Sequence, residues 1–199
     1  LFLTHGHQDH AGGAAAVMEN VSVKNVLLPR ETPSQAVQNV LRKKGNTRII
    51  PVLPKQQIEL DGVMLEVIHA SQEKEESRNK NEVSAVLRIS YGKSSFLFTG
   101  DLESGGEMEI LSSGKNIKST VLKVGHHGSK TSSTDDFLRA VAPQYGVISV
   151  GENNSFGHPH PQTLERLAAH RIKVLRTDKQ GALVFESDGN EINVEAYVK

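Results

Sequence analysis

The chain has 199 residues, 23 basic and 23 acidic side chains, nine histidines and no cysteine. That length fits one domain with a sizeable core. Without cysteine there are no disulfides or thiolate metal sites, so any metal must be held by His, Asp or Glu, a donor set suited to zinc, manganese or iron. The neutral balance does not itself point to nucleic acid, although bound divalent cations would add positive charge locally.

No apolar run approaches the roughly 18 residues of a membrane helix, so a soluble domain is expected. Leu1-Phe2-Leu3 is too short and too polar in its continuation for a signal peptide. It reads as a buried strand entered midway, which leads us to expect a piece of a longer protein. Ala11 to Asn20 is Ala-rich and predicted helical, and Val21 to Leu28 alternates as a strand. Ser34 to Lys44 places Ala36, Val37, Val40 and Leu41 at helical spacing and stops at Gly45. Arg48–Leu53, Gln57–Leu60 and Val63–Ile68 are predicted strands, the last two joined by Asp61-Gly62. Ser71 to Asn81 is a charged loop. Val83–Ser90 and Ser94–Thr99 form a hairpin, and Gly105–Leu111 a short helix. Ser119–Val124 is a strand, and a helix follows from Ser133-Thr134-Asp135-Asp136 to Ala142-Pro143. Beyond it come a strand at Tyr145–Val150, a helix at Pro161–His170 and strands at Ile172–Arg176, Ala182–Glu186 and Glu191–Ala196. This order is not a strict β-α-β alternation. It fits mixed sheets inside and helices outside.

Four segments carry chemistry. His5, His7, Asp9 and His10 put four potential ligands into six residues. On an extended stretch His5 and His7 share a side, and a helix starting after them projects Asp9 and His10 nearby. A polar loop with satisfied histidines is the plainer alternative, but it does not call for this density. Phe96 to Asp101 is an apolar strand ending in Gly-Asp, which alone would equally be a turn. Gly125-His126-His127-Gly128 again ends a strand. Adjacent histidines diverge, so one of the two is expected to be a ligand. Gly157-His158-Pro159-His160-Pro161 is stiffened by its prolines, as a ligand loop or a surface turn would be. His69 and His170 lie outside these clusters and are expected to be structural.

In this order the motifs resemble the metallo-β-lactamase superfamily. More closely, THGHQDHAGG, NEVSAVLR, FLFTGDLE, LKVGHHGSKTSS and ISVGENNSFGHPHPQTLERL resemble the C-terminal domain of the ComEC-like family, the DNA-internalisation channel proteins of bacterial competence. The resemblance implies an α/β (α+β) fold, a four-layer αββα sandwich, with residues 1–199 as one hydrolase domain lacking its N-terminal strands. It implies two divalent metal ions, zinc or manganese: one on His5, His7, His127 and bridging Asp101, the other on Asp9, His10, Asp101 and His158. His126 and His160 are second choices as ligands. Asp9 would also orient the nucleophile, and His126 or His160 would protonate the leaving oxygen. Gly128, Ser129, Lys130 and Ser132 would contact phosphate. Many superfamily members carry a further G-H-T ligand segment where this chain has Asn81 and Ser84, which argues against lactam or thioester hydrolysis.

The resemblance further implies a nuclease that degrades one strand of incoming DNA. It would be attached to the channel part of the same parent in a bacterial cell membrane and need no nucleotide cofactor. A small-molecule phosphodiesterase similar to phosphorylcholine esterase, and a non-catalytic DNA-binding module, are the alternatives.

Overall fold

The computed structural model describes residues 1–29, 34–71 and 80–197. Most of the charged stretch from 71 to 81 lies outside the described residues. Two sheets and two sets of helices make up the layers. The first sheet pairs β1 (Asn25–Pro29) with β2 (Arg48–Val52) in parallel, and Phe2 bridges onto Leu27 on the other side of β1. The second sheet runs β3 (Gln57–Leu60), β4 (Val63–His69), β5 (Val86–Tyr91), β6 (Ser94–Phe98), β7 (Val121–Lys123), β8 (Tyr145–Ile148) and β9 (Lys173–Arg176). Its first four strands are an antiparallel meander, and β6 to β9 are parallel. A separate hairpin, β10 (Ala182–Ser187) and β11 (Ile192–Tyr197), follows.

The period of two along β1 explains the layering. Val26 and Leu28 face the helices α1 (Gln8–Ala11), α2 (Ala14–Asn20) and α3 (Gln35–Lys43), packing with Leu3, Ala14, Val37 and Val40. Leu27, between them, points the other way into a cluster with Val52, Val67 and Ala85 that joins the two sheets. On the far side of the large sheet, Leu97, Leu122, Val124 and Ile148 pack against α4 (Ser104–Ser112), α5 (Asp135–Val141) and α6 (Pro161–Ala169) through Ile110, Phe137, Leu138 and Leu167. Helix, sheet, sheet, helix is the expected αββα order.

Departures from the predicted elements have local causes. The predicted helix over residues 11–20 starts earlier, at Gln8, and is broken into α1 and α2 at Gly12-Gly13. Residues 83–85 are not strand: a 3-10 turn over Lys80–Val83 brings Ser84 and Ala85 beneath Thr4, whose carbonyl accepts from Ala85 N at 2.8 Å. A short helix, α7 (Thr177–Gln180), interrupts the run between β9 and β10.

What matters for function is where the strands end. The residues after Leu3, β6, β7 and β8 all emerge at one edge of the sandwich. The carboxyl ends of parallel strands are where α/β sheets bind ligands.

Candidate metal centre

His5 follows the short extended entry and is 1% exposed; its Nδ1 lies 3.2 Å from Thr4 Oγ1. Its ring stands 4.7 Å from that of His7 and 4.2 Å from that of His10. Because α1 begins at Gln8, Asp9 and His10 project from its first turn toward the same point. Asp101 enters from the end of β6. Gly100 has φ +56, and a Cβ there would meet Thr4 and Ser84 side chains at 3.0–3.1 Å, so glycine lets this turn press against the entry strand. Asp101 N donates to Ser84 Oγ at 3.1 Å. Ser84, in the region of the missing ligand histidine, positions the Gly-Asp turn instead.

These elements bring Asp9, His10, Asp101 and His127 into one group and His5, His7 and Asp101 into another, with ligand atoms within 4.8 Å of one another in each. His10 Nε2 is 3.1 Å from Asp101 Oδ1, 3.2 Å from His127 Nε2 and 3.6 Å from Asp9 Oδ2. His5 Nε2 is 3.8 Å from Asp101 Oδ2. Asp101 thus belongs to both groups, while His127 falls with Asp9 and His10 rather than with His5 and His7.

His126 and His127 both have positive φ, 46° and 53°, in a 3-10 turn held by His126 N donating to Gly100 O at 3.2 Å. Consecutive left-handed residues other than glycine are costly and concentrate at functional sites. The turn sends the two rings apart. His127 Nε2 lies 3.1 Å from Asp9 Oδ2. His126 Nδ1 lies 3.1 Å from Glu103 Oε1, an oxygen that also accepts from Asn81 Nδ2 at 2.9 Å.

His158 stands outside both groups but lines a cleft with Asp9 and His127, and its ring is 5.6 Å from that of His126. His160 is the N-cap of α6, where its Nδ1 accepts from Gln162 N. Of the four residues expected at phosphate, Lys130 is exposed and three are buried. Ser132 Oγ donates to Leu102 O at 2.8 Å, Ser129 Oγ is 2.9 Å from Thr131 Oγ1, and Gly128 packs against Pro159. His69, with Nδ1 3.9 Å from Glu109 Oε2, lies away from the cluster, and His170 ties α6 to Asp135 at 3.0 Å.

The electrostatics are those of a cation site. Burial, then His10, pushes His5 down from 6.5 to about 3, so its imidazole is neutral. Burial pushes the Asp101 carboxyl up, but His10, His127 and His5 outweigh it and hold the group below the usual carboxylate range. Burial lowers Lys123, while Asp101 and Asp9 oppose that shift. His5 Nε2 and Asp101 Oδ1 are buried with no hydrogen-bond partner among the described residues. His127 Nδ1 is 2.7 Å from Ser149 O, which can only accept. In neutral His127 the proton therefore sits on Nδ1, and the Nε2 lone pair faces a carboxylate oxygen. Imidazole and carboxylate atoms converging this closely, two of them buried without a partner, fit divalent cations.

Neither residue type nor spacing gives Glu103, Ser149 or Ser84 a role at the site. Glu103 is two residues past Asp101 in a quoted motif, but nothing in its spacing says that it meets His126. Ser149 acts through its backbone, which no residue type could signal.

The model of the Metallo-beta-lactamase superfamily matches residues 1–152. The chain is 37% identical over 189 residues to ComE operon protein 3 of Bacillus subtilis (strain 168), covering 93% of this chain and 24% of that protein. It is 44% identical over 132 residues to competence protein ComA of Neisseria gonorrhoeae, covering 66% and 19%. It therefore spans about a quarter or less of the length of these relatives. Among solved structures, CmlA, a diiron beta-hydroxylase from Streptomyces venezuelae, superposes with a TM-score of 0.60 at 15% identity, over 88% of this chain and 43% of that one, a likeness of fold alone. The chain belongs to the metallo-β-lactamase superfamily, and its similarity to these relatives is at moderate identity.

Proposed function

We propose that this domain is a metal-dependent phosphodiesterase acting on DNA, the nuclease part of a competence DNA-uptake protein whose other segments form a channel in a bacterial membrane. The observation that carries the hydrolytic reading is the sharing of Asp101 by two ligand groups. His5, His7 and Asp101 would hold one divalent cation, and Asp9, His10, Asp101 and His127 a second, with His158 beside it. Bound there, two such ions would lower the pKa of water toward about 7 and offset charge developing on phosphoryl oxygens. DNA as substrate is supported by the competence name of one relative and by the exposed Lys130 beside the histidine turn.

The chain's own groups would do the rest. The Asp9 carboxylate, 62% exposed at its side chain, orients the attacking water by accepting its hydrogen bond. His126, oriented by Glu103, gives the leaving oxygen its proton; His160 is less suited, since its Nδ1 caps a helix. Thr4 and Ser149 set the imidazoles of His5 and His127.

The test is cleavage of single- and double-stranded DNA by the purified chain, with zinc or manganese added, beside a phosphocholine diester. DNA cleavage lost in Asp101→Ala supports the reading. Cleavage of the choline diester alone would favour the small-molecule alternative, and Asp101→Ala cutting DNA as well as the parent would sink the two-metal reading.

A further inference from the structure

Phe156 is 80% exposed, more than any other large hydrophobic residue among those described. Isolated exposed apolar side chains are common and need no function. This one differs in how it is held and in what it adjoins. Asn154 staples its loop: Oδ1 accepts from Phe156 N at 3.2 Å and His158 N at 3.0 Å, and Nδ2 donates to Gly151 O at 3.1 Å and His158 O at 2.7 Å. An aromatic ring is thus presented to water on a braced turn, so ordering it on binding loses little entropy. Its ring is within 17° of parallel to that of His158, with centroids 6.1 Å apart. With Asp9, His127 and His158 it lines a cleft of about 400 Å³ next to the metal groups.

Part of the wall is chemically quiet. Val150 N donates to Thr177 Oγ1 and the same hydroxyl donates to Val150 O, both at 2.8 Å. Those groups are already paired with each other. The cleft therefore offers a ring face beside the metal-ligand groups, and the Val150 and Thr177 groups on its wall are not available to read a base edge.

We infer that Phe156 and His158 form a stacking subsite for the nucleobase adjoining the cleaved phosphodiester, tolerant of base identity. This rests on the phosphodiester reading above. Stacking on an aromatic side chain contributes about 1–3 kcal/mol per base, or roughly 5- to 150-fold in affinity.

The experiment compares two fluorescent 12-mers of hydrolysis-resistant phosphorothioate linkage, one of thymidines and one of abasic residues, by anisotropy with manganese present. The expected result is at least fivefold tighter binding of the thymidine strand. Phe156→Ala should abolish that difference, Phe156→Tyr should keep it, and the abasic strand should bind all three proteins alike. Equal binding of the two strands by the parent, a difference surviving in Phe156→Ala, or no binding of either strand overturns the inference. DNA cleavage measured in parallel separates the two claims. Cleavage with equal binding of the thymidine and abasic strands leaves the nuclease reading standing and removes the subsite; tighter binding of the thymidine strand without cleavage keeps the stacking contact and removes the nuclease reading.

Discussion

His127 Nδ1 and the carbonyl oxygen of Ser149 lie 2.7 Å apart, across the gap between the β7 and β8 loops. The contact fixes the ring's tautomer and aims Nε2 at Asp9 and His10. His127→Ala should therefore lose one metal ion of two and keep the ion on His5, His7 and Asp101. Metal content after gel filtration, read by elemental analysis, checks this. Loss of both ions would mean that the two groups do not fill independently.

Glu103 predicts a different pattern. It sits beside His126 Nδ1 and outside both ligand groups, so on the proposed mechanism it would act through the orientation of that ring. Glu103→Gln should leave metal content unchanged and lower kcat by about 10- to 100-fold, with KM little altered. A fall in bound metal instead would recast Glu103 as support for the cation site.

Much of this centre was legible in sequence, because ligand chemistry is local. Four potential ligands in six residues, followed by a helix, leave little geometric freedom. The layers were legible too, from period-two strands such as β1 and the helical spacing of Ala36, Val37 and Val40. The grouping of His127 was not. It depends on two left-handed residues in succession and on a carbonyl 22 residues away, and neither leaves a trace in residue type. The same holds for Ser129 and Ser132: hydroxyls in a glycine-flanked loop suggest phosphate contacts, yet tertiary packing turns them inward. Nor does a lone acid on the short helix α4 announce that Glu107 is 1% exposed.

That burial makes Glu107 a pH-sensitive element of stability. It takes hydrogen bonds from the N–H groups of Ser133 and Thr134 and from the Thr134 hydroxyl, joining α4 to the start of α5. Burial raises its carboxyl above the ordinary 4.5, against those donors and Arg166, which lower it. A folded-state value above the unfolded one favours the protonated form in the fold. The contribution is full below the ordinary value and is lost as pH rises through the raised one. Glu107→Gln loses acceptor capacity and should destabilise the protein by about 1–3 kcal/mol. The gap between parent and variant should be widest in acid and narrow toward neutrality. Urea midpoints from pH 4 to 7 measure it, and a gap that widens with pH would contradict the burial argument.

Gly128 links the histidine turn to the HPHP loop, and its replacement separates backbone strain from ligand chemistry. Its φ is +83°, and an added Cβ would lie 2.7 Å from Pro159 Cβ and 3.2 Å from Pro159 Cα. Its carbonyl accepts from His160 N at 2.9 Å, so the two loops cannot simply part. Gly128→Ala should therefore cost at least the roughly 1–2 kcal/mol of a left-handed non-glycine residue, with the clash in addition. Displacement of Pro159 would carry His158 with it. Catalysis should then fall even where the metal content of the folded protein is preserved. Gly13→Ala is the matched control: Gly13 has φ −80°, and a Cβ there meets nothing within 4 Å. It should be neutral or stabilising by up to about 1 kcal/mol. Equal urea midpoints for the two variants would show that the contact between Gly128 and Pro159 is not a constraint on the fold.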